Sequence, residues 1–209
     1  MIGINMVNKV KFERENVIRL ASQLFWEKGF HATSTRDLQD AINMRPGSIY
    51  SAFGSKEGLY CESLKDYTLD MKNQIEGFLS TSDSIVGGLH AFVENVLIKT
   101  KACSPSAICM LVKANSEFVD KDSHLYELSV DLAAQFEGYL TALFEQAIEH
   151  NELSDKLSAI EYARFFQVNF TGLRGYVNRP GVEPLAQPMI NQMFTVMKNL
   201  SIYPTQFFE

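Results

Sequence analysis

Cysteine is scarce. Cys61, Cys103 and Cys109 are the only three in 209 residues, an odd number with no Cys-x-x-Cys pair. That leaves no even disulfide framework and fits a reducing cytoplasm, where the chain is expected to reside. Long hydrophobic runs are missing too. No apolar stretch approaches the roughly 18–20 residues that a membrane span needs, so no membrane partner is expected. The opening MIGINMVNKVKFER has no apolar stretch followed by a small-residue cleavage site, so no secretory signal is expected. Enzyme signatures are equally lacking, with no G-x-S-x-G, Walker loop, G-x-G-x-x-G or H-E-x-x-H. The run Gly54-Ser55-Lys56-Glu57-Gly58 has neither the loop length nor the Lys-Ser/Thr ending of a phosphate loop. His31, His90, His124 and His150 share no metal spacing. These absences point away from an enzyme, a metal or a cofactor.

An overall excess of positive charge is also absent. The net charge is −6, which argues against a general nucleic-acid coat. The distribution is uneven, however: residues 1–60 carry eight Lys and Arg against six acids, and the remainder carries eleven against nineteen. A mildly basic head on an acidic body keeps phosphate affinity local, because charge effects fade over about 8–10 Å in salt.

What the sequence does contain is helical periodicity. Val17, Leu20, Ala21, Leu24 and Phe25 mark one face of a helix over about 9–28, and Gly29 stands where a left-handed cap ends it. Ser34 is placed to cap a short second helix ending near Ala41, with Asp37 answering it three positions on. Ile42-Asn43-Met44 has the character of a tight turn, Met44 plugging the angle between two helices. Pro46 suits the first position of a third helix, Pro46 to Phe53, with Ile49, Ala52 and Phe53 inward. Gly54 ends it, and Ser55 caps a fourth helix running to about Phe78. Further helices are predicted near 84–101, 106–118, 124–150, 158–177 and 188–200, and no segment alternates as a strand would. The fold class is therefore all-α.

Two short helices joined by a tight turn, over residues 34–53, describe a helix-turn-helix. The second helix must bury one face and present a slim polar face to the major groove. Ile49 and Phe53 lie on the buried side, while Gly47, Ser48, Tyr50 and Ser51 occupy the other arc with Arg45 at its mouth. Arg36, Arg45, Gly47, Ser48 and Ser51 are the candidate base contacts. Thr33, Ser34, Thr35, Tyr50 and Lys56 are the candidate phosphate contacts, with Lys9, Lys11 and Arg14 on the first helix also suited to phosphates.

The run Leu24-Phe25, Gly29-Phe30, Thr33-Ser34-Thr35-Arg36-Asp37-Leu38, Gly47-Ser48-Ile49-Tyr50 and Phe53-Gly54-Ser55-Lys56-Glu57-Gly58-Leu59 resembles the DNA-binding domain of the TetR/AcrR family. The resemblance is dense over about residues 10–65. Asn43 stands where the family usually has Gly, and Arg45-Pro46 replaces its usual small polar cap pair. The resemblance implies a helix-turn-helix DNA-binding domain over 1–55 and a helical ligand-binding and dimerisation domain over 56–209. It further implies a repressor, binding a pseudo-palindromic operator in double-stranded DNA as a homodimer and released by a small-molecule effector.

The dimer is expected to form through the last two helices, at Phe166, Phe170, Leu173, Ile190, Phe194 and Met197. The first of these helices is apolar nearly all round, so it must meet its own core on one side and a partner on the other. Two other readings stay open. One keeps DNA binding and senses thiol oxidation at Cys103 or Cys109. The other is a helical ligand-binding protein without DNA affinity, against which stands the slim polar face of the third helix.

Overall fold

The computed structural model describes residues 3–43, 45–118 and 123–199, the side chains of residues 3–13 and of Pro46 excepted. Met44 and Leu200, and the side chains of Lys9 and Lys11, lie outside the described residues. Among the described residues there are nine α-helices and no strand. They are α1 (Gly3–Lys28), α2 (Thr35–Ile42), α3 (Pro46–Phe53), α4 (Lys56–Leu79), α5 (Ile85–Glu94), α6 (Met110–Glu117), α7 (His124–Glu149), α8 (Ala159–Val177) and α9 (Glu183–Asn199).

Local chemistry explains most of the boundaries. Gly29, at φ 89°, ends α1 with its N–H on Phe25 O. Ser158 and Glu161 form a capping box at the head of α8, matching that of Ser34 and Asp37 at α2. Three boundaries depart from the periodic pattern. The predicted helix over 84–101 changes pitch at Asn95, where a π turn, Asn95–Lys99, lets Thr100 N–H reach back to Asn95 O. α6 starts at Met110 because Ser106, ahead of it, turns its hydroxyl to the N–H of Ile108 and holds that stretch out of the helix. α9 starts at Glu183, ahead of Pro188, so that proline lies inside the helix. Pro184 costs nothing in the first turn, and Pro188 forgoes one hydrogen bond just beyond it.

The helices group into two compact units, and neither is one continuous stretch of chain. The first draws on residues 1–70 and 109–132, the second on 71–108 and 133–209. α4 and α7 contribute to both.

In the first unit α1, α2 and α3 close over Ala21, Phe25, Leu38 and Ile49, all essentially inaccessible. An aromatic cluster sits beside them. Tyr60 meets Phe25 edge-on at 4.9 Å and Phe30 at 5.0 Å, and Phe118 closes on Phe30 at 5.3 Å. Such pairs add about 0.5–1.5 kcal/mol each beyond the area they bury.

In the second unit the core is another aromatic chain. Phe144 meets Tyr162 and Phe166, Phe166 stacks on Phe170 at 5.9 Å, and Phe92 and Phe194 close on Phe170 and Phe166. This corrects which residues of the last two helices are free to meet a partner. Phe166, Phe170, Leu173, Ile190, Phe194 and Met197 are all buried within the single chain, where α5, α8 and α9 cover one another's apolar faces. What α8 leaves outside is a different stripe. Val168 is 72% exposed, and Gly172 and Gly175 are also on the surface with open space where a β-carbon would stand. Leu185 on α9 is 47% exposed.

Candidate nucleic-acid interface

The interface begins at the end of α1. After Gly29 the chain turns, and Thr33 folds inward to donate its hydroxyl to Gly29 O at 2.6 Å. Thr33 is fully buried, so its side chain is not a phosphate contact. It satisfies one of the carbonyls that the end of α1 leaves unpaired.

Ser34 then opens α2. Its Oγ accepts the N–H of Asp37 at 3.1 Å, and its own N–H donates to Asp37 Oδ2 at 2.8 Å. Lys28 Nζ donates to the other oxygen, Oδ1, at 2.7 Å. Lys28 and the Ser34 hydroxyl, with help from the Ser34 N–H, hold the Asp37 carboxyl far below the usual carboxylate range. The carboxylate therefore ties the last residue of α1 to the first turn of α2. Ser34 remains at the surface, with its hydroxyl committed to the cap.

Asn43 adopts the left-handed conformation, φ 51° and ψ 43°, that the turn requires. Its short amide tolerates this position, which explains how the chain manages without glycine there. Arg45 precedes α3 in extended backbone and makes no capping bond with its side chain. On α3 Ile49 is buried and Phe53 half-buried, whereas Arg45, Gly47, Ser48, Tyr50 and Ser51 are exposed. Ala52, expected inward, is exposed as well, because at about 100° per residue it falls on the opposite side of Ile49 from Phe53. Nothing lies within 4 Å of where a β-carbon on Gly47 would stand. Arg36 on α2 is exposed.

Two candidate phosphate contacts meet directly. Thr35 Oγ1 and Tyr50 OH lie 3.2 Å apart, which joins the start of α2 to the middle of α3. Lys56 has a less simple position. Its ammonium stands 4.2 Å over the ring of Phe30, and partial burial there pushes its pKa down. Glu57, Glu117 and Asp37 act in the opposite direction. The charged end of Lys56 thus packs on the ring face, close to the N-terminus of α4. Ser55 caps that helix by accepting the N–H of Gly58 at 3.1 Å. Gly58 must be glycine, since a β-carbon there would stand 2.0 Å from the carbonyl oxygen of Phe53.

Residues from far along the chain complete the unit. Lys113 Nζ donates to Trp26 O at 3.1 Å and Glu27 O at 2.8 Å, opposing the negative end of α1. Glu117 accepts the N–H of Phe30. Of the cysteines, Cys61 is buried and burial pushes its thiol up, Cys109 accepts a hydrogen bond from Tyr67 OH at 3.5 Å, and Cys103 is exposed. Among the described residues no group of His, Cys, Asp and Glu is placed to hold a metal. None of the described helices is long and apolar enough to cross a membrane.

An arrangement with a buried Ile49, a slim exposed face on α3 and hydroxyls and cations around it can read a duplex groove. Known proteins agree with it. Residues 17–62 match the model of bacterial regulatory proteins of the tetR family. Over 57 residues the chain is 42% identical to the HTH-type transcriptional repressor BdcR of Escherichia coli (strain K12), covering 27% of this chain and 29% of that protein. Over 94 residues it is 30% identical to the HTH-type transcriptional repressor KstR2 of Rhodococcus jostii (strain RHA1), covering 38% of this chain and 46% of that protein. The matched stretch is thus less than half the length of these curated relatives.

The backbone likeness is broader. A TetR-family transcriptional regulator from Cytophaga hutchinsonii superposes with a TM-score of 0.76 at 18% identity, covering 89% of this chain and 93% of that one. A cysteine variant of the TetR-family regulator CifR, solved in complex with 26 bp double-strand operator DNA, gives 0.69 at 24% identity, covering 87% and 95%. At these identities the likeness speaks to the fold.

Proposed function

We propose that this chain, whose residues 17–62 match the tetR family of bacterial regulatory proteins, is a transcriptional repressor that binds double-stranded operator DNA. The observation that carries this reading is the face of α3. Gly47, Ser48 and Ser51 are exposed while Ile49 is buried, so the helix offers small polar groups to a groove without giving up its packing. Arg45 and Ser48 read base edges from the first turn of α3, with Arg36, Gly47 and Ser51 beside them. Thr35, Tyr50 and Lys56 hold phosphates, with the N-terminus of α2 at Ser34. A regulator, rather than an enzyme, is the reading that the repressor relatives favour.

The protein acts as a homodimer on a pseudo-palindromic site, because one head reads only a half-site. A second copy covers the outer stripe of α8 and α9, where Val168, Gly172, Gly175 and Leu185 lie open. A small-molecule effector binds in the helices of the second unit, whose aromatic-rich interior suits an apolar or aromatic compound, and weakens operator binding. The cytoplasm is where such a protein works.

Selection of bound duplexes from a random pool tests the reading. A conserved two-fold-related motif with half-sites about one helical turn apart, or a multiple of that, is the expected result. Recovery of no motif, with uniform weak binding to every duplex, would leave a helical ligand-binding protein without DNA specificity.

A further inference from the structure

The guanidinium of Arg14, on α1, reaches the far end of the recognition helix and touches it in two ways. Its Nη1 donates to Ala52 O at 3.0 Å, and its carbon stands 4.4 Å over the ring of Phe53. Its Nη2 meets Glu62 Oε2 on α4 at 3.4 Å. One planar group therefore joins α1, the last turn of α3 and α4.

The recognition helix needs such a hold. It has eight residues and no basic residue in its last turn. Two turns of helix do not keep their conformation alone in water, because nucleation costs more than so few bonds return. The last carbonyls lack partners within the helix and carry its partial negative charge. Gly54 N–H takes the carbonyl of Tyr50, and Arg14 takes that of Ala52. The ion pair with Glu62 is at the surface, where such pairs contribute little energy, so its value is in orienting the fork. Only arginine offers a carbonyl, a ring face and a carboxylate one flat cation together; lysine is a point charge.

We infer that Arg14 is a positioning residue: it fixes the C-terminal end of α3, and through it the angle at which Gly47, Ser48 and Ser51 meet base edges. This rests on the DNA-binding reading and replaces the expectation that Arg14 holds a phosphate. With its fork held by Ala52 O, the Phe53 ring and Glu62, Arg14 is expected to govern discrimination between sequences and to leave the salt dependence alone.

Full-length Arg14→Lys and Arg14→Gln, each checked for helix content by circular dichroism, test this on two readouts. The first is amide hydrogen exchange in α3 and at Gly54. The second is affinity for a duplex selected by the natural protein and for a random duplex, over a salt series. Both variants should exchange faster in the last turn of α3, lose about tenfold or more on the selected duplex, and keep random-duplex affinity and salt slope unchanged. If Arg14→Lys matches the natural protein in exchange and in affinity, the proposal is wrong. It is equally wrong if Arg14→Gln weakens both duplexes alike and lowers the salt slope by about one, since that marks a phosphate contact. If the natural protein prefers no duplex, the DNA reading fails by itself, and the exchange data alone decide whether Arg14 fixes α3. Should Arg14→Gln not fold, Arg14→Lys and Glu62→Gln carry the same comparison.

Discussion

Glu117 accepts the backbone N–H of Phe30 at 2.7 Å, although the two residues are 87 positions apart. The same carboxylate fills the space over Gly29, where a β-carbon would stand 1.8 Å from its Oε1. Removing it in Glu117→Ala leaves a partly buried N–H unpaired, at about 1–2 kcal/mol, and should lower Tm by about 2–8 °C. Gly29→Ala should cost about 1–2 kcal/mol for its positive φ alone, plus the clash. In the Glu117→Ala background only the φ cost remains, so a thermal-melt double-mutant cycle should show coupling of about 1 kcal/mol. Strict additivity would mean that the two sites do not touch in solution.

The tie between Lys28, Ser34 and Asp37 has a signature in acid. Asp37 is held below its ordinary value in the folded chain, so the stability it contributes is complete above about pH 4 and is lost as the pH falls further. Asp37→Asn should therefore lower Tm at neutral pH, and the gap should shrink as pH is lowered below about 4. Melts at a series of pH values measure it. A gap that stays constant down to the acid limit would exclude the linkage.

Two glycines in the head should respond in opposite ways. Gly58→Ala drives a methyl into the carbonyl of Phe53 and should destabilise strongly, because backbone cannot yield as a side-chain tip can. Gly47→Ala meets open space and should stabilise by up to about 1 kcal/mol, while weakening operator binding by filling the groove-facing surface. Melting and gel shifts on both variants separate fold from recognition. Operator binding by Gly47→Ala equal to that of the natural protein would take Gly47 off the DNA face.

Lys56→Ala should weaken binding to all duplexes alike and reduce the slope of log K against log salt by about one. Arg45→Ala should instead cost about 1–3 kcal/mol at one operator position and relax the preference there. Salt titrations and a repeated selection distinguish the two. An unchanged consensus for Arg45→Ala would make Arg45 a backbone or solvent residue.

Val168→Glu puts a charge on the open stripe of α8 and should yield a folded monomer with much weaker operator binding. Phe170→Glu, by contrast, places the charge inside the core and should unfold the second unit rather than dissociate a dimer. Light scattering with circular dichroism tells these apart. A dimeric Val168→Glu would move the interface elsewhere.

The three helices of the head were legible because their signals are local. A cap such as Ser34 with Asp37, a turn residue such as Asn43 and a buried Ile49 all act within a few positions. Lys113, Glu117 and Phe118 carry no such signal. Lys113 and Glu117 find their partners at and just after the end of α1, more than eighty residues earlier. Phe118 meets Phe30 there and Tyr60 on α4, and nothing in the neighbourhood of the three announces these contacts. Thr33 misled because a small polar residue in a polar run reads as exposed, while the unpaired carbonyl of Gly29 draws it in. The apolar residues of α8 and α9 misled for another reason. Periodicity shows which face is apolar but not which neighbour covers it, and here the covering helices belong to the same chain.

The divided make-up of the first unit bears on protein engineering. A chimera cut after residue 55, or even after residue 70, transplants the reader without Lys113, Glu117 and Phe118. The amide and ring of Phe30, and the last carbonyls of α1, then face whatever the recipient offers at those places. Grafts between relatives should therefore carry residues 109–132 along with the head, as a second insert. A hybrid regulator built from one N-terminal cut inherits the recognition helix without the support that keeps its scaffold closed.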